Sequence, residues 1–281
     1  MDNLNRLNNL KIVHNMKSVL QNNGKIKSNI KGQSLDFSDY SQYEIGDDFR
    51  KIDWNIYGRT RKLYVKNYEA ERQIVVNIFL DISKSMEDLK TEKFNKAFEI
   101  AKNLSYIALN NNNKVVWHRV DNSGKLYAYN IKTKQMLSSL RAENLKPLVR
   151  EKYMSKVLNA KIGIHQTSIL ISDCYSFDME EVIKLFAYRK NNLIVLQTLA
   201  EEEKKIDLNG DIILKDVETD SEIKIEITRK IREKYQLNLK KHQYEIEKKA
   251  MKYGYRFVNV NLEQKVSKIL FKDLIKERIL R

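Results

Sequence analysis

Gln73-Ile74-Val75-Val76-Asn77-Ile78-Phe79-Leu80-Asp81-Ile82-Ser83-Lys84-Ser85-Met86 is the stretch that decides the fold. Its first half is β-branched and apolar, broken only at Asn77, and has the length of a strand buried on both faces. The run stops at Asp81, and the loop after it offers one carboxylate and two hydroxyls in the order Asp-x-Ser-x-Ser. Beyond the loop, Phe94, Ala97, Phe98, Ala101, Leu104, Ser105 and Ala108 share one face of a helix expected over 91–110. Strand, acidic turn and helix in that order begin an open α/β sheet.

The same grammar continues downstream. Lys114 to Val120 and Lys125 to Tyr129 read as strands joined by the turn Asp121-Asn122-Ser123-Gly124. Residues 132–140 and about 150–160 read as helices, and Ser168 to Ser172 as a short apolar strand ending at Asp173. A helix follows from Asp178, its N-cap, to Lys190, then a buried strand from Leu193 to Thr198. Residues 207–227 form a hairpin, Ile212-Ile213-Leu214 against Ile223-Lys224-Ile225. A long charged helix over 229–252 stops near Gly254, and a last strand (Tyr255 to Val260) and helix (263–280) close the chain. Alternation of this kind predicts a mostly parallel sheet flanked by helices. Upstream, Leu4, Leu7, Leu10, Ile12, Val13, Met16, Val19 and Leu20 have helical spacing, so an N-terminal helix is expected over 1–23. Residues 24–60 read as irregular and Lys62 to Tyr68 as a strand. The expected organisation is a segment over 1–72 packed on a main domain over 73–281.

Ligands of open α/β sheets bind beyond the carboxyl ends of the strands. Two strands here end in acid, at Asp81 and Asp173. With Ser83 and Ser85 they form a set of hard oxygen donors suited to Mg²⁺ or Mn²⁺. The alternative is that the loop merely caps the following helix, since Ser and Asp are common N-caps. The loop resembles the metal-ion-dependent adhesion site of von Willebrand factor A domains. That resemblance implies serines that bind the ion directly and aspartates that bind directly or through water. It also implies an open position for a partner's acidic side chain and a threonine ligand on a middle loop. Thr167 starts the strand that ends at Asp173, about 20 Å from the ligand edge at ~3.3 Å per residue. Ser155, ahead of a helical Lys156 to Ala160, stands in the family's place for that ligand. Lys84 brings a positive charge that weakens cation binding.

Enzymatic readings find less support. A phosphatase of the haloacid-dehalogenase type needs a second carboxylate two residues after the first, where this chain has Ser83. No histidine or lysine is arranged to activate Ser83 or Ser85, so no catalytic residue is assigned. The histidines at 14, 118, 165 and 242 lack zinc-site spacing, and the single cysteine, Cys174, excludes a disulfide scaffold. The net charge of +15 invites a nucleic-acid reading, but it comes from 38 Lys against 14 Arg spread along the chain, and Arg is the residue that forks onto bases and phosphates. The N-terminus has no apolar run like a secretory signal, and no stretch approaches the ~20 apolar residues of a membrane helix. A cytoplasmic protein is expected.

The segment before the sheet is more distinctive. Gly46-Asp47-Asp48-Phe49-Arg50-Lys51-Ile52-Asp53-Trp54 is followed by Gly58-Arg59-Thr60 and Leu63-Tyr64-Val65. Gly46 permits a tight turn, Asp47 and Asp48 can accept backbone N–H groups, and Arg50 and Arg59 can pair with carboxylates. The segment is read as structural, pinned by these pairs, with a direct binding role as the alternative. Trp54 is expected to be buried beside them, so that Trp54→Ala costs on the order of 3 kcal/mol or more. An exposed Trp54 would make the segment a binding-site candidate. Together with Glu69, Glu71, Arg72, the Asp-x-Ser-x-Ser-Met loop, the Ile-Ser-Asp strand end and Asp216-Val217-Glu218-Thr219, the segment resembles the bacterial and archaeal domain-of-unknown-function family fifty-eight. The resemblance spans about residues 30 to 280. It implies a von Willebrand factor A-like fold and a role as adaptor for a MoxR-type AAA+ ATPase in assembly, maturation or stress. The expected function is therefore a non-enzymatic, metal-dependent protein-interaction module. A nucleic-acid-associated basic protein and a metal-dependent phosphatase or nuclease are the alternatives.

Overall fold

The structure is a computed structural model that describes residues 6–14, 35–70, 73–86, 92–120, 125–145, 153–175, 179–215 and 221–281. The chain divides into two compact units, residues 22–73 and residues 1–21 with 74–281.

In the smaller unit, β1 (Leu35–Gln42) pairs antiparallel with β2 (Tyr64–Ala70), with a register shift between Phe37 and Asp39. The connection turns at Gly46, whose φ of +112° suits only glycine, then passes through a 3₁₀ turn (Phe49–Lys51) into α1 (Trp54–Thr60). Asp53 caps α1 by accepting the backbone N–H groups of Asn55 at 2.9 Å and Ile56 at 3.2 Å. The region expected to be irregular thus contains a strand and two helical turns. Its strand is hidden from local pattern because its partner, β2, lies more than twenty residues downstream.

The larger unit is built on a six-stranded sheet: β3 (Val75–Leu80), β4 (Lys114–Val120), β5 (Leu126–Ile131), β6 (Thr167–Ser172), β7 (Asn192–Leu199) and β10 (Arg256–Asn261). Their spatial order is β10-β7-β6-β3-β4-β5, all parallel except β5, which runs antiparallel to β4 at one edge. A separate hairpin, β8 (Gly210–Lys215) with β9 (Glu222–Ile227), lies between β7 and β10 in sequence. β6 and β7 are buried at every position, which is why the central strands read as unbroken apolar runs. Asn77 interrupts β3 because it is paired inside the protein: its amide donates to Gln166 at 2.7 Å, and its oxygen meets His118 Nε2 at 2.9 Å.

The principal helices are α2 (Lys93–Asn110), α3 (Lys134–Ser139), α4 (Tyr153–Leu158), α5 (Met179–Tyr188), the short α6 (Glu201–Lys204) and α7 (Arg229–Lys252). Ile78 lies in register with Trp117, whose indole donates to Ser105 of α2 at 2.9 Å and meets Phe98 edge-on. The next residue, Phe79, packs edge-on against Phe186 of α5 with centroids 5.6 Å apart. Successive strand residues face opposite ways, so α2 and α5 cover opposite faces of the sheet. Right-handed crossovers leaving β3 and β6 in opposite lateral directions have that result.

The expected N-terminal helix is corrected. Among the described residues of that span, 6–14, only 6–8 are helical; Ile12 instead bridges antiparallel to Leu280, with Lys11 and Arg281 exchanging hydrogen bonds of 2.8 and 3.0 Å. Leu7 and Leu10 are buried, and the β-branched Ile12 and Val13 take a partner from the far end of the chain. The last helix is also less regular than expected: Val266–Lys268, a π turn at Ile269–Asp273, then Leu274–Lys276. Residues 15–23, the turns expected at 121–124 and 216–220, and the cap at Asp178 lie outside the described residues. Among the described residues no helix is long and apolar enough to cross a membrane.

Candidate metal centre

β3 and β6 are neighbours, yet the chain leaves β3 toward β4 on one side and β6 toward β7 on the other. The direction of winding reverses between them, and in open α/β sheets ligands bind at the carboxyl ends beside such a reversal. Asp81 and Asp173 stand there, both 3% exposed. The Asp81 N–H donates to Ile171 at 2.9 Å, so the strand pairing runs up to the loop itself. Asp81 Oδ1 accepts the Ser83 N–H at 2.9 Å, and Oδ2 accepts the Ser172 hydroxyl at 2.6 Å. Burial, and then the charge of Asp173, push the Asp81 carboxyl up to about 6. Asp173 Oδ1 accepts the Tyr175 N–H at 3.3 Å; Cys174 between them has a φ of +62°, which turns the chain back toward the carboxylate.

The hydroxyl oxygens of Ser83 and Ser85 lie 3.0 Å apart. That is a hydrogen-bond length, and it is also roughly the ~3.0 Å edge of an octahedron whose ligands stand ~2.1 Å from Mg²⁺. Among the described residues no three His, Cys, Asp or Glu side chains converge as a metal cage. What converges is two carboxylates and two hydroxyls, an all-oxygen set that suits a hard divalent cation and no soft one.

Two further side chains reach this place that sequence reasoning misses. Lys93, the first residue of α2, is fully buried. Its ammonium donates to Glu203 at 2.8 Å and to the Ser85 carbonyl at 2.9 Å, and lies 3.4 Å from Asp173 Oδ2. Glu203, in α6 just beyond β7, also accepts the Ala200 N–H at 2.6 Å. One ammonium thus ties the loops after β3, β6 and β7. Three carboxylates against one ammonium leave a formal excess of two negative charges, the charge of one divalent ion. On donor type, spacing and charge, the residues fit Mg²⁺ or Mn²⁺. A signal for Lys93 is present in the sequence: it stands one helical turn before Ala97 and two before Ala101, inside the register of the buried face. Glu203 is masked by the run Glu201-Glu202-Glu203, which reads as a solvated helix start.

Ser155 sits inside α4, and does not precede it as expected; its carbonyl accepts from Asn159. The neighbouring Tyr153 is buried, and its hydroxyl donates to the His118 carbonyl. Thr167 is at the opposite end of β6, where its hydroxyl meets His14 at 2.8 Å. Cys174 is fully buried; burial first, then Asp173 and Asp81, raise its thiol well above the usual range, so it is no nucleophile.

In the smaller unit, Arg50 forks onto Asp48 at 3.0 and 3.1 Å, and Asp47 accepts the Glu44 N–H. Asp53 is the buried hub: besides capping α1 it accepts from Tyr40 at 3.0 Å and pairs with Lys66 at 3.1 Å. The Lys66 contact, first among several, holds its carboxyl below the usual range. Arg59 is exposed and, among the described residues, has no ion pair. Trp54 is not buried; it is 62% exposed and meets Tyr57 edge-on. A two-stranded ribbon with a two-turn helix has no second layer to enclose an indole. Trp54→Ala is accordingly expected to shift urea-denaturation stability by no more than about 0.5 kcal/mol, well below the figure for a buried aromatic.

The parallel sheet with one antiparallel edge strand, flanked by helices and carrying Asp-x-Ser-x-Ser at its winding reversal, defines a von Willebrand factor A-like domain. Residues 39–245 match the model of the family described as "Protein of unknown function DUF58", and the chain belongs to that family. Solved structures similar to it include an aerotolerance-related membrane protein from Bacteroides fragilis NCTC 9343 carrying multiple mutations to serines, at 15% identity and a TM-score of 0.40, covering 73% of this chain and 98% of that one. Another is the conserved hypothetical protein BatB from Bacteroides thetaiotaomicron, at 18% identity and a TM-score of 0.39, with the same coverage. No curated protein matches the chain.

Proposed function

We propose that the protein is a non-enzymatic, metal-dependent protein-interaction module. Asp81, Ser83, Ser85 and Asp173 would hold Mg²⁺ or Mn²⁺, with Ser155 retained as the candidate middle-loop ligand. A bound ion would supply a Lewis-acidic position open to an Asp or Glu of a partner. The observation that carries the reading is the formal excess of two negative charges at the winding reversal, from the buried Asp81 and Asp173 and the partly exposed Glu203 against the buried Lys93, beside two hydroxyls spaced as neighbouring ligands. Asp81 and Asp173 attract the cation and repel each other without one. Ser172 and the Ser83 N–H fix the orientation of Asp81, so little side-chain entropy is lost when it takes a ligand. The chemistry at the site favours docking over catalysis. His118 is buried, burial disfavours its protonated form, and its Nε2 is engaged with Asn77, so it does not serve the site as a base.

By family resemblance the partner is a MoxR-type AAA+ ATPase or its client. The test is direct. EDTA-stripped protein titrated with Mn²⁺ should show one bound ion per chain by electron paramagnetic resonance, displaced by Mg²⁺. Free Mn²⁺ signal undiminished at millimolar protein and ion would end the metal reading.

A further inference from the structure

Lys93 combines three features that ordinary surface lysines lack. Its side chain is fully buried. It sits at the first position of an eighteen-residue helix, where the helix dipole disfavours a cation. And its three neighbours are the Ser85 carbonyl, Asp173 and Glu203, which belong to the loops of three different strands. A charge so placed persists only if the carboxylates around it hold it there.

We propose that Lys93 is a resident counter-cation of the metal centre, tuned by Glu203, which keeps the site folded when empty and sets its affinity for divalent ions low. The proposal rests on the reading that Asp81, Ser83, Ser85 and Asp173 take such an ion, and it adds a residue that opposes the ion's arrival. The ammonium lies closer to Glu203, at 2.8 Å, than to Asp173, at 3.4 Å. Glu203 therefore draws the tethered charge away from the ligand carboxylate. Its own side chain is 28% exposed, so the pair sits at the boundary between the buried ligands and solvent. A partner that approached the site would meet Glu203 and could shift the ammonium toward or away from Asp173.

Two substitutions should move the affinity in opposite directions. Lys93→Met keeps the buried stem and removes the charge. Mn²⁺ should then bind roughly tenfold tighter or better, because a like charge beside the ion is gone. The same variant should melt lower than wild type in EDTA and recover with saturating Mn²⁺, whereas wild type should respond far less to the ion. Glu203→Gln removes the closer anchor and leaves the ammonium to Asp173, so Mn²⁺ should bind several-fold weaker, by about threefold or more. Glu203 is partly exposed, so this variant keeps the proposal testable if Lys93→Met fails to fold.

Asp81→Ala is the reference. If wild type binds Mn²⁺, Asp81→Ala does not, and both new variants match wild type, Lys93 has no such role and the metal reading stands. The same holds if Lys93→Met binds more weakly, or if it is unfolded while Glu203→Gln matches wild type. If wild type ignores Mn²⁺ but Lys93→Met binds it, the lysine has replaced the ion. If no variant binds Mn²⁺, both readings fall together.

Discussion

Asp81→Ala is expected to abolish divalent-ion binding, raising the Kd by roughly a hundredfold or more, and to leave the fold in place. Even a residue behind a metal ligand typically contributes 10–100-fold to affinity, so on the proposed reading a carboxylate that holds the ion, directly or through water, contributes at the upper end. Stability should change little because two effects oppose each other. The Ser172 hydroxyl, 1% exposed, loses its acceptor, which costs about 1–2 kcal/mol. Against that, a buried carboxylate that repels Asp173 is gone. Pull-downs of wild type and Asp81→Ala, each with Mg²⁺ and with EDTA, should recover the partner only from wild type with Mg²⁺. The same proteins in all four samples would reduce the loop to a helix cap.

The second large effect is on stability below neutral pH. His118 is 5% exposed, stacked on Phe79 at 4.1 Å and bonded to Asn77, and burial lowers it from 6.5 to about 4. As pH falls from 6.5, the unfolded chain takes up the proton first, and the folded protein follows only near pH 4. Stability is therefore full above about pH 6.5 and is lost between 6.5 and 4, by about 3 kcal/mol from this residue, at ~1.4 kcal/mol per pKa unit. His14, half-buried and lowered to about 4 by burial and then Arg281, acts in the same direction. Denaturation of wild type and His118→Gln at pH 7, 5.5 and 4 should show a smaller acid loss in the variant. Parallel curves would mean that His118 titrates normally in the folded protein.

Local pattern is a good guide wherever a strand or helix is fixed by its own face. The run ending at Leu80 is β3, and the charged helix expected over 229–252 is α7, Arg229–Lys252. That Asp81 and Asp173 stand at one edge of the sheet is legible because each directly follows a buried strand. What fails depends on distant partners. Ile12 pairs with Leu280, and β1 with β2 across more than twenty residues, which no local period records. Trp54 reads as buried from its hydrophobic area, but burial needs a second layer and the smaller unit supplies none around it. Lys93 is harder to read because its chemistry comes from its neighbours, and these lie on three loops up to 110 positions away.

The pairing of residues 11–13 with 279–281 has a consequence for synthesis. Leu7, Leu10 and Ile12 are buried in the finished protein, but the strand-like partner of Ile12 is made long after them. At translation rates of ~5–20 residues per second, this early segment waits on the order of 15 to 50 s before its partner emerges. Throughout that interval the nascent chain carries an apolar segment with an unpaired edge, the kind of surface that chaperones hold and that aggregation exploits. The larger unit therefore cannot close until residues 279–281 have left the ribosome, however early its central strands have paired.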